Sequence, residues 1–248
     1  MFFSFVLSMQ KNNKNTKNLL TSSSIPVSKE KPLHLYCIPG MAANPKIFEY
    51  ISLPPTIKLH YLSWIQPDEG ESLEHYALRM CKRVKHKKPL LLGVSFGGIL
   101  AQEMAKHIEV EKVIIVSSIK NSNELPLPMI MAKKTNAHKL LPTQWINSLD
   151  ALTLFAFGKG IQKRLELYQK YLSERNPFYL SWAIDALVNW NQEYSLDKII
   201  HIHGERDTVF PIKNLRGPLH KINAGHAAII THAKWFNDQL PKLLLDQD

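Results

Sequence analysis

From residue 31 onward, the apolar positions fall into two alternating kinds of grouping. Short apolar runs bounded by prolines, glycines or polar turns occur at 33–38 (LHLYCI), 58–64 (KLHYLSW), 89–94 (PLLLGV), 112–118 (KVIIVSS), 199–204 (IIHIHG) and 219–223 (LHKIN). Their length and their β-branched or leucine-rich content predict strands. Between them the spacing becomes helical. Leu73, Tyr76, Ala77, Met80, Cys81 and Val84 share one face of a helix over 72–84, and FGGILAQEMAKHI (96–108) reads as a helix rich in small residues. HAAIITHAKWFNDQL (226–240) reads as a closing helix that stops before Pro241, where α geometry is disfavoured. PLLLGV and the VIIV of KVIIVSS run apolar without alternation, as strands buried on both faces do. Strand, helix and strand in this rhythm predict an α/β fold with a mostly parallel sheet flanked by helices.

The rhythm fails between 121 and 196, where long stretches rich in Leu, Trp, Tyr and Phe keep helical spacing and show no clear strand. This segment reads as a helical cap, or lid, inserted into a core made of 31–120 and 197–248. Its aromatics Trp145, Phe155, Phe157, Trp182 and Trp190 are candidates to line an apolar pocket, although most aromatics at such spacing simply pack. Residues 10–31 are polar and rich in Asn, Lys and Ser, which predicts a flexible arm over 1–30 without a core of its own.

Candidate chemistry begins at GVSFG (93–97), a G-x-S-x-G match placed directly after a buried strand and directly before a helix. A serine on so sharp a turn needs neighbours without side chains, and Gly93 and Gly97 supply them. Serine alone is a poor nucleophile at neutral pH. It needs a base to take its proton and a carboxylate to orient that base. Asp207 lies in the loop after the strand 199–204, at the edge where sites collect in such sheets, and His226 follows the next strand. The chain order Ser95, Asp207, His226 is that of the elbow-type hydrolases. The competing readings are a turn-capping role for Asp207, a helix-start role for His226, and His232 as the base instead.

GVSFGG, HGERDTVFP and NAGH together resemble the serine α/β-hydrolase superfamily over roughly residues 31–246. The resemblance implies nucleophilic catalysis by Ser95 and an oxyanion hole of two backbone N–H groups. One would belong to Phe96 and the other to Met41, since Pro39 has no N–H to offer. Many members carry His-Gly where this chain has Pro39 and Gly40, and the HGGG signature of some lipases and esterases is missing. The implied activity is cleavage of an ester or thioester of a small or medium apolar acyl substrate through an acyl-enzyme. Lactone, amide or carbon–carbon cleavage, acyl transfer to other acceptors, and a non-catalytic ligand-binding role on the same fold stay open.

Composition narrows the partners. The chain has 248 residues, 45% of them hydrophobic, enough for one substantial core. The net charge of +10 is dispersed, and its densest run, KRVKHKK at 82–88, closes the helix 72–84, where cations suit the negative end of the helix dipole. No nucleic-acid motif accompanies it, so the expected partner is a small-molecule substrate. The two cysteines, Cys37 and Cys81, read as reduced thiols serving as small hydrophobes. MFFSFVLSMQ is too short to span a bilayer and has neither a preceding basic residue nor a small-residue cleavage site, so a cytoplasmic location is expected. No cofactor or metal is expected; His201 and His203 alternate on one strand and would face the same way, but no third ligand accompanies them.

Overall fold

The structure, a computed structural model, describes residues 31–140, 169–197 and 199–245. The predicted arm and the aromatics Trp145, Phe155 and Phe157 lie outside them. The strands are β1 (Leu33–Ile38), β2 (Ile57–Tyr61), β3 (Leu90–Val94), β4 (Lys112–Val116), β5 (Ile199–Gly204) and β6 (His220–Ile222). They form one sheet in the order β2-β1-β3-β4-β5-β6, with every neighbouring pair parallel. β3 is buried at all five positions, which is why its sequence is apolar without alternation.

The helices are α1 (Leu73–Cys81), α2 (Phe96–Ala105), α3 (Leu127–Thr135), α4 (Pro177–Asn189), α5 (Ala228–Thr231) and α6 (Ala233–Leu245). Ser72 caps α1 by accepting the His75 N–H, and Asn176 caps α4 by accepting that of Tyr179. α2 is buried from Phe96 to Met104 because it packs on β3 and β4 and is flanked by α1 and α4; its only polar residues in that stretch, Gln102 and Glu103, are hydrogen-bonded to Ile119, Gln192 and Trp190. The described part of 121–196 contains helices and no strand. Among the described residues, no helix is long and apolar enough to cross a membrane.

Several boundaries differ from the sequence reading: β2 stops at Tyr61 and β4 at Val116, short of residues 64 and 118, and the larger departures lie in the basic run and the closing helix. α1 ends at Cys81, so the basic run 82–88 is an irregular connection, with Lys88 in the left-handed region, instead of a helix end. The closing helix is two: α5 ends at Thr231 with His232 as its C-cap, and α6 continues through Pro241 to Leu245. An internal proline costs about 3 kcal/mol, but Leu240 and Leu244 flank it and are both buried, each contributing roughly 1.5–3 kcal/mol. Their burial offsets the lost hydrogen bond.

The strand order positions the site. The chain leaves β1 for the edge strand β2, then returns past β1 to start β3, so successive connections diverge between β1 and β3. A crevice opens at such a switch point, beyond the strands' carboxyl ends. The loop after Ile38 and the turn after Val94 both lie there, since Ile38 and Gly93 are register partners.

Candidate active site

Ser95 stands between β3 and α2 with φ 53° and ψ −122°, a strained conformation for a residue with a side chain. Its surroundings leave that turn no alternative. A Cβ on Gly93 would sit 2.1 Å from the Gly97 carbonyl oxygen, and one on Gly97 would sit 2.3 Å from that of Pro39. The strand-to-helix turn and the loop after β1 thus touch backbone to backbone. The Ser95 N–H donates to the Val116 carbonyl at 2.9 Å, and the Ser118 hydroxyl donates to the Ser95 carbonyl at 2.7 Å. Ser118 also explains Gly98, whose Cβ would lie 2.6 Å from the Ser118 Oγ.

Asp207 and His226, nineteen positions apart, are joined by the backbone. The Glu205 N–H donates to Ile222 and the Arg206 N–H to Ala224, and Gly204 lies so close to Ala224 that a Cβ would meet its carbonyl oxygen at 2.6 Å. The result is a continuous hydrogen-bonded relay. Ser95 Oγ is 3.0 Å from His226 Nε2, and His226 Nδ1 is 2.8 Å from Asp207 Oδ2. The other carboxylate oxygen, Oδ1, accepts the N–H groups of Val209 at 2.8 Å and Phe210 at 3.0 Å. All three side chains are buried or nearly so, with Ser95 and His226 each 8% exposed.

Burial by itself would raise the Asp207 carboxyl, but the charge and hydrogen bond of His226, with His203 and the Phe210 N–H, hold it below the usual range. Asp207 therefore stays ionised and fixes the His226 proton on Nδ1, leaving the Nε2 lone pair facing the serine hydroxyl. His203 is pushed down by burial, only partly opposed by Asp207, and so is a neutral imidazole. Its Nε2 lies 2.8 Å from the Phe210 carbonyl, which assigns the proton to Nε2, and its Nδ1 lies 3.2 Å from His201 Nε2. His201 and His203 do face the same way, but they brace the loop that holds Asp207.

Of the two N–H groups suggested for an oxyanion hole, that of Phe96 follows Ser95 directly and that of Met41 belongs to the loop after β1, which comes close to Ser95 at Gly40. Neither has an acceptor among the described residues. A Cβ on Gly40 would lie 3.4 Å from that of Ser95, which shows how closely the loop approaches. Ala42 in the left-handed region and the Ala43 N–H donating to Gly40 close a tight turn there. The indole N–H of Trp64 donates to the same Gly40 carbonyl at 3.0 Å. A trans peptide points its N–H opposite to its carbonyl, so Trp64 fixes the direction of the Met41 N–H. The sequence reading missed Trp64 and Ser118. The chain pattern puts Trp64 at a strand end and Ser118 inside a strand, and their partners are 24 and 23 positions away.

The remaining candidates are placed elsewhere. His232 stands at the break between α5 and α6, its Nδ1 2.8 Å from the Thr231 hydroxyl. Trp182 packs edge-on to Phe96 with ring centroids 6.0 Å apart and donates to the Glu71 carbonyl; Trp190 donates to the Glu103 carboxylate. Both line a cavity of about 530 Å³ between α1, α2 and α4 that none of Ser95, Asp207 and His226 lines. Cys37 and Cys81 are free thiols; burial pushes Cys37 well up and Cys81 to about 11.

No family model matches the chain, and no curated protein matches it in sequence. Many solved structures match it in shape. An esterase from Exiguobacterium antarcticum superposes with a TM-score of 0.64 at 18% identity, over 87% of this chain and 93% of that one. An enol-lactonase from Burkholderia xenovorans gives 0.65 at 13%, over 88% and 93%. A lipase-esterase related protein from Clostridium acetobutylicum gives 0.62 at 16%, over 86% and 95%. At such identities the likeness is one of fold.

Proposed function

We propose that this chain, which has the α/β-hydrolase fold, is a serine hydrolase that cleaves an ester or thioester of a small or medium apolar acyl group. The observation that carries the reading is the relay from Ser95 through His226 to Asp207, assembled from loops after three different strands. Ser95 Oγ attacks the acyl carbon as its proton passes to His226 Nε2. The imidazolium formed is stabilised by Asp207 and returns the proton to the leaving group, giving the acyl-enzyme. Water then repeats the sequence, with His226 again as base. The Met41 and Phe96 N–H groups hold the negative oxygen of each tetrahedral intermediate, each worth about 3 kcal/mol in comparable sites.

In this reading residues 121–196 form the cap. Support comes from α4, whose Tyr179 and Trp182 meet Trp64 and Phe96 in an aromatic cluster beside the proposed oxyanion donors. The test is turnover of p-nitrophenyl esters of graded chain length and of acyl-CoA thioesters, with and without Ser95→Ala. Wild type should turn over at least one series and label with a fluorophosphonate probe. The variant should lose both, by roughly 10⁴-fold or more in kcat. Undiminished turnover in the variant refutes the reading, and a wild-type chain silent to the probe favours a non-catalytic binding protein. Lactones belong in the same panel, because the same attack opens a cyclic ester.

A further inference from the structure

Roughly 13 Å back along β1 from Ile38, three histidines from three separate segments converge. His34 lies near the start of β1, His60 on the edge strand β2, and His86 in the connection between α1 and β3. His34 and Tyr36 share one face of the sheet by strand alternation, and His60 joins them as the register partner of Tyr36. The rings are in contact. His86 stacks on His34 with centroids 3.4 Å apart and planes 7° from parallel, and His34 Nδ1 lies 2.9 Å from His60 Nε2. One imidazole nitrogen from each lies within 4.8 Å of the other two.

We propose that His34, His60 and His86 form a binding site for a divalent transition-metal cation of the zinc type, separate from the Ser95 centre. The donor set argues for that class. Three imidazoles suit zinc, copper or nickel, and with no carboxylate in the cluster and Lys58 beside His34, magnesium and calcium find no oxygen ligands.

A supporting partner is present as well. The buried Tyr36 hydroxyl accepts the Lys85 N–H at 2.9 Å and lies 2.7 Å from His86 Nδ1. When His86 Nδ1 donates to that hydroxyl, its Nε2 becomes the lone-pair nitrogen, the arrangement that orients metal-bound histidines. Tetrahedral zinc with nitrogens at about 2.0–2.1 Å separates them by roughly 3.4 Å. The His34–His86 stack therefore opens by ring rotation as the ion enters, and water takes the fourth position. The ion ties β1, β2 and the basic connection together.

The test is Zn²⁺ binding to the chelator-stripped full chain by calorimetry, with Co²⁺ absorption as a second readout. We expect one equivalent per chain that survives millimolar Mg²⁺ and raises Tm by roughly 5–10 °C at a hundredfold excess over Kd. His34→Gln, His60→Gln and His86→Gln should each weaken binding at least tenfold, and Tyr36→Phe about tenfold. His75→Gln, on the exposed face of α1, and His226→Gln should leave it unchanged. Absence of saturable binding by the wild-type chain below about 1 mM Zn²⁺ overturns the proposal without recourse to any variant. So does a site that Mg²⁺ displaces, one that all three histidine substitutions leave intact, or one lost in His226→Gln.

Discussion

Replacing Asp207 with Asn changes hydrogen-bond polarity at one site and almost nothing in volume. Asp207 Oδ1 accepts two backbone N–H groups, and Oδ2 accepts the His226 Nδ1 proton. An amide has one acceptor oxygen and one donor nitrogen. If its oxygen keeps the Val209 and Phe210 N–H groups, its NH₂ faces His226 and forces the imidazole proton from Nδ1 to Nε2. Nε2 then carries a proton of its own and cannot accept that of Ser95, 3.0 Å away. If the amide flips, its NH₂ meets two N–H donors in a buried pocket, which costs about 1–3 kcal/mol for each unpaired group. The first arrangement therefore prevails, with the fold kept and the tautomer wrong. A wrong tautomer in such a relay costs about 10⁴ in kcat, or about 5.4 kcal/mol. The assay is kcat on the best p-nitrophenyl ester beside Tm by calorimetry, for wild type and Asp207→Asn. A loss smaller than tenfold, with Tm within a few degrees of wild type, refutes the assignment of Asp207 as the group that orients His226.

Gly97→Ala brings a methyl to 2.3 Å from the Pro39 carbonyl oxygen, so the loop after β1 must retreat by roughly 1 Å; about 1–3 kcal/mol of stability and at least a hundredfold in kcat should go. Wild-type Tm and turnover in that variant would show the contact to be unimportant. Trp64→Phe keeps an aromatic ring against Phe96 but removes the bond to the Gly40 carbonyl; we expect kcat down about tenfold with fluorophosphonate labelling of Ser95 retained, and an unchanged kcat would remove Trp64 from the positioning role. His201 is pushed down to about 3 by burial, then by His203 and Lys120. The unfolded chain takes up that proton near pH 6.5 and the folded chain does not, so stability falls as pH drops from 6.5 toward 3, by roughly 4–5 kcal/mol in all. Urea unfolding at stepped pH should lose about one proton of slope in His201→Gln, and an unaltered slope would count against it.

How much of this could be read from the chain differs from residue to residue. β3 was legible because a strand buried on both faces has no choice but to be apolar, and α1 because its buried stripe and Ser72 cap are both local. Pro241 misled because local rules register the lost N–H but not the burial of Leu240 and Leu244 on either side. The run 82–88 misled because Val84 continues the apolar spacing of α1 although the helix has already stopped at Cys81. Trp64 and Ser118 gave no signal as site residues, since each works through a single hydrogen bond to backbone brought near only by folding.

By itself the sequence determined the alternation of strands and helices, the place of Ser95 on a glycine-flanked turn, and the order in which Asp207 and His226 follow. These are properties of neighbours along the chain: periodicity, steric allowance and turn chemistry. Only the tertiary structure decided that one carboxylate oxygen would hold two backbone N–H groups while the other holds His226, and that an indole from 24 positions away would aim the Met41 N–H. It alone brought His34, His60 and His86, each 26 positions from the next, into ring contact. Such meetings depend on strand order and register, which are set by the packing of the whole sheet and by no single stretch of it.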